Sequence, residues 1–327
     1  MWRARGPNRL SLMAYQHQMV AVVAWKPLPS NQPLVDNWRR RGIGAELMSP
    51  GDARRRLGPG DVALARLDVT PTLDDVEPGV DDLAALEDHG VRVLNRPDSL
   101  LAAHDKWQTA QRLADAGVAH PGTAHVTSLD DIRSLTPPFV LKPRFGSWGW
   151  DVIRCLHRED VGRAAAILRE RAWFRRDGVL VQELVPPRGV DLRVIVAGDR
   201  VVGAERRHAA PGEWRTNEAP GGRPVHADPT ESEGALAIAA TRAIGADFVG
   251  VDLLPLPEGG YTVIEVNSAL DFNHADDSLP GRNVYMDVAA ALGLTRRGRG
   301  ASRRPRPHTA VTRHRSTRRR PRTTSTD

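Results

Sequence analysis

The stretch that most constrains this chain runs from Phe248 to Asn267. Two apolar runs, Phe-Val-Gly-Val-Asp-Leu-Leu and Tyr-Thr-Val-Ile-Glu-Val-Asn, flank a Pro-Glu-Gly-Gly turn. That pattern predicts a β-hairpin. Centred on Glu258-Gly259, the hairpin sets Asp252 opposite Glu265. Opposed residues of an antiparallel pair share a face, with Cβ atoms about 5 Å apart. Asn267, two residues beyond Glu265, points to that face as well. Two carboxylates so close repel each other. A hard divalent cation removes the conflict, and carboxylate and amide oxygens are the ligands Mg²⁺ prefers. The competing reading is an edge hairpin with solvated acids.

Lysine usage adds a second constraint. Of 46 Lys and Arg residues only Lys26, Lys106 and Lys142 are lysine. Arg and Lys are not interchangeable where a compact point charge meets phosphate. Lys142 ends the short apolar strand pattern Phe139-Val140-Leu141 and precedes Pro143-Arg144-Phe145-Gly146-Ser147-Trp148-Gly149. A strand ending in Lys and running into a glycine-containing loop is a cradle for phosphate oxygens. Lys106 opens a helical pattern at 105–116, closed by Gly117. Lys26 reads as an ordinary surface residue.

The 327 residues suffice for more than one packed layer system or domain. The single cysteine, Cys155, excludes an internal disulfide and a cysteine metal cluster, and fits an expected cytoplasmic location. The apolar run at 19–25 is too short to span a bilayer or to be a signal-peptide core, so no membrane span is expected. The formal charge of +6 is unevenly spread. Residues 295–327 hold twelve Arg and one Asp, or +11, which leaves 6 − 11 = −5 for residues 1–294. The segment 294–327 is expected to be a disordered Arg-rich tail. It can attract nucleic acid or anionic lipid through phosphate. No aromatic residue is interleaved to stack on bases, which favours a solvated extension. Residues 1–18 are basic and patternless, a disordered or mis-started N-terminus, with Met13 or Met19 as alternative starts.

Along the rest of the chain, strands expected at 19–25, 43–48, 62–67 and 91–94 alternate with helices at 34–42 and 83–89, and Arg96-Pro97-Asp98-Ser99 then caps another helix. That alternation predicts a small α/β domain over 19–104 with a parallel sheet. A second block reads helix 105–116, strand 123–127, helix 129–134, strand 139–142, helix 159–171 and strand 179–183. A third has strands at 191–197 and 200–206 around a Gly198-Asp199 turn, a helix at 231–244, the hairpin, and a last helix near 284–292.

In this order the motifs resemble the ATP-grasp superfamily, most closely its RimK-like amino-acid ligases of the alpha-L-glutamate type. The residues that carry the resemblance are Asp105-Lys106, Val140-Leu141-Lys142-Pro143 with Gly146-Ser147 and Gly149, and Val181-Gln182-Glu183-Leu184. They continue with Asp191-Leu192-Arg193, Arg206-Arg207, Trp214-Arg215-Thr216-Asn217 with Gly221-Gly222, and the hairpin. The resemblance covers about two thirds of the chain. It implies an α/β (α+β) fold, with a pre-ATP-grasp domain at 19–104 followed by an ATP-grasp domain at 105–293 with lobes at about 105–181 and 182–293. It implies ATP and two Mg²⁺ ions, with Mn²⁺ an alternative. Lys106 and Lys142 would contact ATP phosphates, beside Gly146, Ser147 and Gly149. Gln182, Glu183, Leu184 and Val185 would form the adenine hinge, with Glu183 accepting from the exocyclic amine. Asp191 would contact ribose. Arg215 would face the transferred phosphate, and Asp252, Glu265 and Asn267 would hold the metal. Arg206, Arg207 and Asn217 are the candidates for binding substrate, against a solvated strand end for the two arginines. Arg215, Lys142 and Asn217 are the expected catalytic group.

The implied activity is activation of a small-molecule or peptide carboxylate as an acyl phosphate and its attack by an amine such as an amino acid. A homo-oligomer is compatible with this reading. The alternative is an ATP-binding sensor that engages nucleic acid through the tail. A P-loop kinase is disfavoured because no lysine follows a glycine, and a dinucleotide-binding fold because the first strand leads into Lys26-Pro-Leu-Pro-Ser. Two departures bear on substrate. Trp148 and Trp150 flank Gly149 where smaller residues are expected, fitting a nucleotide cap or a substrate lid. Ser268-Ala269-Leu270-Asp271-Phe272 follows Asn267 in place of a Ser-Pro-Gly type run, so the acceptor can differ from that of protein-glutamylating relatives.

Overall fold

A computed structural model describes residues 18–25, 28–217, 219–272 and 283–295. The expectations for residues 1–17, Lys26 and the tail from 296 onward lie outside the described residues. Three sheets correspond to the three sequence blocks.

The first block comprises β1 (Met19–Val23), α1 (Asn31–Arg40), β2 (Gly44–Met48), α2 (Pro50–Arg56), β3 (Val62–Ala65), α3 (Val80–Asp88) and β4 (Arg92–Leu94). Its sheet has the order β2-β1-β3-β4 and is parallel throughout. The central strands are apolar on both faces because helices and neighbouring chain cover both. In α1 the buried residues Asn31, Leu34, Val35 and Trp38 keep helical i, i+3, i+4, i+7 spacing. The helix starts three residues before the expected 34. Pro33 lies in its first turn, where a missing N–H costs nothing.

After α4 (Pro97–His104), the second block holds α5 (Lys106–Asp115), β5 (Thr123–Val126), α6 (Leu129–Ser134), β6 (Phe139–Lys142), β7 (Ile153–Cys155), α7 (Arg158–Arg169), α8 (Ala172–Asp177) and β8 (Val179–Glu183). Its antiparallel sheet runs β5-β8-β6-β7. The third block holds β9 (Val190–Ala197), β10 (Arg200–His208), β11 (Arg223–His226), α9 (Glu231–Ile244), β12 (Phe248–Pro255), β13 (Tyr261–Asn267) and α10 (Val284–Ala291), with sheet order β11-β10-β9-β12-β13. Helix α9 matches its expected limits because both ends are written locally. Thr230 and Glu233 form a capping box and Gly245 takes a left-handed C-cap. The elements not foreseen, α2, β7, α8 and β11, have seven residues or fewer, too few to show a period.

The first sheet shares its core with the third. Val20, Val22, Leu34 and Trp38 pack in one cluster with Ile195, Phe248, Phe272 and Val288. Trp38 Nε1 donates to the Tyr285 carbonyl at 2.8 Å. Arg66 is fully buried at this seam. It donates to Asn31 Oδ1 at 2.6 Å and to the Leu270 carbonyl, with its guanidinium 5.5 and 5.6 Å from the rings of Phe248 and Phe272. Burial lowers its pKa to about 10. Among the described residues no helix is long and apolar enough to cross a membrane.

Candidate active site

The hairpin sets the site. Asp252 pairs with Glu265 in the register, as the spacing predicts. The route to that register is less direct than a simple turn. Near the tip Pro255 pairs with Tyr261, a frame that would set Asp252 opposite Ile264. A β-bulge beyond Leu253 shifts the frame by one residue and brings Glu265 across.

The two sheets of the second and third blocks enclose a cleft that brings together residues from distant segments. Lys106, Lys142, Gly146, Ser147, Gly149, Gln182, Glu183, Leu184, Val185, Asp191, Arg207, Arg215, Asn217, Asp252 and Glu265 all line it. The approach of Lys106 begins at Asp105, the N-cap of α5, which accepts from Trp107 N at 3.1 Å and Gln108 N at 3.4 Å. Arg144 grips the same carboxylate at 2.8 and 2.6 Å, and Lys106 N donates to the Arg144 carbonyl at 3.1 Å. The glycine loop is thus stitched to the helix start. Lys106 Nζ then reaches the Gly146 carbonyl at 2.5 Å and Glu265 Oε1 at 2.7 Å. Loss of water lowers the Lys142 pKa to about 8, opposed by Glu265 and Asp252 and assisted by the like charge of Lys106.

The carboxylate conflict on the hairpin face is resolved by cations of the chain itself. Arg193 holds Asp252 with Nε at 2.7 Å and Nη2 at 2.8 Å, and Arg207 Nη2 lies 2.8 Å from Asp252 Oδ2. Arg207 also donates to Asp191 Oδ1 at 2.9 Å, and Thr216 Oγ1 donates to Asp191 Oδ2 at 2.6 Å. Burial alone would raise the Asp252 carboxyl, but the charges of Arg193 and Arg207 hold it well below the usual carboxylate range. Asn267 Nδ2 sits 3.5 Å from Asp252 Oδ2. Asp191, expected at ribose, therefore has both oxygens engaged inside the protein. Arg193 was not singled out as a site residue; its position two residues from Asp191 on β9 was the available signal.

Arg206 and Arg207 part company because consecutive strand residues face opposite ways. Arg207 enters the cleft, whereas Arg206 turns outward to Tyr261 Oη at 2.9 Å. The structure does not bring Arg206 to the site. Arg215 donates to the Gly149 carbonyl at 2.9 Å and forks onto Glu213 at 3.1 and 2.9 Å, drawing the Glu213 pKa down to about 2. Gly149 has φ +73°, and a Cβ there would lie 2.7 Å from Asn217 Oδ1, so the loops meet closely only with glycine. The Glu183 side chain folds back to accept from Gly122 N at 3.0 Å. His104 is another residue not foreseen. It is buried, its Nε2 lies 2.8 Å from the Leu67 carbonyl and 2.7 Å from Ser268 Oγ, and burial lowers its pKa to about 4.

The lining of the cleft carries Lys106, Lys142, Arg188, Arg207 and Arg215 against Glu183, Asp191, Asp252 and Glu265, or 5 − 4 = +1, so cations slightly outnumber carboxylates there. Among the described residues no group of three or more His, Cys, Asp or Glu side chains could hold a metal ion alone. Two carboxylates and the Asn267 amide nevertheless supply the hard oxygen donors Mg²⁺ takes, and such ions commonly complete their shell from substrate phosphates and water. The donor set fits a metal that arrives with a nucleotide. Compact cations beside a glycine-containing loop, with hard oxygen donors opposite, are the features that a nucleoside polyphosphate and its metal require.

Comparison with known proteins agrees. A model described as the RimK-like ATP-grasp domain matches residues 103–292. A probable alpha-L-glutamate ligase of Xanthomonas oryzae pv. oryzae (strain MAFF 311018) is 32% identical over 256 residues, covering 74% of this chain and 85% of that protein. The crystal structure of D-cycloserine synthetase DcsG superposes with a TM-score of 0.65 at 22% identity, covering 85% of this chain and all of that one. The ATP-grasp ligase PsnB, in complex with a precursor variant, Mg and ADP, gives 0.62 at 16% identity, covering 86% and 99%. The chain belongs to the RimK-like ATP-grasp family. It is an ATP-dependent ligase that forms carbon–nitrogen bonds, with ATP and Mg²⁺ as the cofactors typical of that family.

Proposed function

We propose that the protein converts a carboxylate of a small molecule or peptide into an acyl phosphate and joins it to an amine, such as that of an amino acid. The observation that carries this reading is the convergence of Lys106, Lys142, Asp252 and Glu265 from four separate elements on one cleft. ATP would supply the phosphoryl group there, and Mg²⁺, as two ions or with Mn²⁺ in its place, held by Asp252, Glu265 and Asn267, would supply positive charge against the phosphates when bound. The substrate carboxylate takes the terminal phosphoryl group as ADP leaves. The amine then displaces phosphate and gives up a proton.

The chain's own residues prepare that path. Lys106 and Lys142 place positive charge at the mouth of the glycine loop before any charge moves. Arg215, fixed between Glu213 and the Gly149 carbonyl, adds a cation beside the loop. Asp252, Glu265 and Asn267 are the proposed metal holders, with Glu265 the more accessible carboxylate at 17% side-chain exposure against 2%. Val140, Leu184, Leu254 and Ile264 offer an apolar slot for a base, edged by the backbone of Gln182 to Val185. Asp191 retains lone pairs for a ribose hydroxyl although Arg207 and Thr216 already donate to it. Arg207 and Asn217 also border a smaller adjoining cavity, which supports a role for them in binding substrate.

Hydroxylamine trapping tests the reading. The protein is incubated with ATP, Mg²⁺ and pooled carboxylates, L-glutamate included because relatives are named for it, and products are read by mass spectrometry. Hydroxamate and ADP that both disappear in Lys142→Ala and Glu265→Gln are expected. ADP formation indifferent to both substitutions contradicts the proposal.

A further inference from the structure

The loop at 213–217 is tied to the opposite sheet at three points. Arg215 Nη1 donates to the Gly149 carbonyl at 2.9 Å. Asn217 meets Gly149 so closely that a Cβ there would lie 2.7 Å from its Oδ1. The Arg154 guanidinium, on β7, lies over the Trp214 ring, 5.0 Å from its centroid. Trp214, Arg215, Thr216 and Asn217 all line the cleft, whereas Glu213 does not. Glu213 nevertheless fixes where the Arg215 head group sits.

The two oxygens of the Glu213 carboxylate do different things. Oε1 accepts from Trp214 N at 2.9 Å, Arg215 N at 2.9 Å and Arg215 Nε at 3.1 Å. Among the described contacts Oε2 accepts only from Arg215 Nη2, at 2.9 Å. The two planar groups form a fork, the geometry that fixes a guanidinium in orientation as well as in place. The Arg215 and Glu213 side chains are 26% and 20% exposed, so an untethered Arg215 would have water to turn into. Of the five guanidinium N–H groups, Glu213 takes two and the Gly149 carbonyl one, which leaves one on each Nη. A phosphoryl group in the cleft can take those two. A cation placed before charge moves needs no reorganisation during the reaction.

We propose that Glu213 is a positioning residue for phosphoryl transfer: it touches neither nucleotide nor substrate, and acts by holding Arg215 beside the glycine loop with two N–H groups left for the transferred phosphoryl group. This role rests on the ligase reading above. It is separable from a role in folding the loop, because the oxygens divide the contacts. Glutamine at position 213 can set its one oxygen where Oε1 lies and keep both backbone N–H groups bonded. Its NH₂ then faces Arg215 Nη2, donor against donor, so the fork opens while the turn stays.

The test follows ADP formation by the full chain with ATP, Mg²⁺, hydroxylamine and pooled carboxylates. Urea unfolding and NMR of ¹⁵N-arginine-labelled protein, held with β,γ-imido ATP and Mg²⁺, accompany it. Glu213→Gln is expected to lower kcat about tenfold or more, the scale of a misplaced catalytic group, with KM for ATP within about twofold of wild type. Its unfolding midpoint should match that of the wild type. Glu213→Ala, which also loses the backbone bonds, should lose rate and stability together. The Arg215 Nε–H resonance, assigned by its absence in Arg215→Lys, should be protected from exchange in the wild type and unprotected in Glu213→Gln. A glutamine variant with wild-type kcat, one that loses stability in step with rate, or one whose Arg215 resonance is unchanged each overturns the proposal. Failure of the ligase reading would look different: no hydroxamate and no ADP from the wild type, with protection of the Arg215 resonance still dependent on Glu213.

Discussion

Asp252→Asn should cost this protein stability as well as turnover. The Asp252 side chain is buried, and the Arg193 guanidinium, with only 11% of its side chain exposed, places Nε and Nη2 on it. Arg207 keeps a second carboxylate, Asp191, and is hurt less. Stripping one partner from a buried ion pair costs about 3–5 kcal/mol, and an asparagine oxygen that still accepts one bond places the loss near the lower end. A loss of about 3 kcal/mol is a large part of the roughly 5–15 kcal/mol that holds a domain together. Glu265→Gln should cost only about 1 kcal/mol, because that pair with Lys106 is partly solvated.

Urea unfolding followed by tryptophan fluorescence measures both. Adding Arg193→Gln to Asp252→Asn should recover part of the loss, since the stranded charge disappears with it. The pH dependence has a definite sign. Asp252 is held below its unfolded pKa, so its contribution is complete above the ordinary carboxyl value of about 4 and is lost as pH falls through the lower folded value. The stability gap between wild type and Asp252→Asn should therefore narrow in acid. An Asp252→Asn protein as stable as wild type at pH 7, or an Arg193→Gln cost that simply adds to it, would refute the network as the source of stability.

Lys142→Arg should raise the KM for ATP by about tenfold, since a longer planar head does not replace a compact ammonium at a phosphate; an unchanged KM and rate would count against the phosphate role. With a pKa near 8, Lys142 is charged below that value and neutral above it, so wild-type KM for ATP should rise between pH 7 and 9. The arginine variant should show a flatter profile. Gly149→Ala forces a side chain into a left-handed position against Asn217 and should cost about 1–2 kcal/mol. ADP formation in that variant should fall several-fold, and a normal rate would show that the loop contact is dispensable. Deleting residues 296–327 should leave hydroxamate and ADP formation intact, whereas turnover that needs both the tail and nucleic acid would favour the sensor reading.

What could be read along one chain direction was legible. The hairpin, its opposed acids, the lysine before the glycine loop and the capped helices α5 and α9 are all local statements, fixed by turn chemistry and period. The bulge beyond Leu253 was not legible, although the register it produces was: the frame at the tip and the one-residue shift combine to the same pairing that a single centred turn would give. The larger omission is Arg193. Strand β9 lies between β10 and β12, and its pairing with β12 spans β10, β11 and α9. No period in the sequence announces which strand will lie beside Asp252. Yet that neighbour decides the chemistry, because it puts two guanidiniums on a carboxylate that otherwise reads as a bare metal ligand. A cation arriving at Asp252 must compete with two guanidiniums already there, while Glu265 is paired with the single ammonium of Lys106, with the charge of Lys142 nearby. Mg²⁺ affinity should consequently depend more on the phosphates it brings than on the protein donors. Titration of Mn²⁺ by electron paramagnetic resonance, with and without ADP, checks this: tight binding to the protein alone would mean the arginines yield freely.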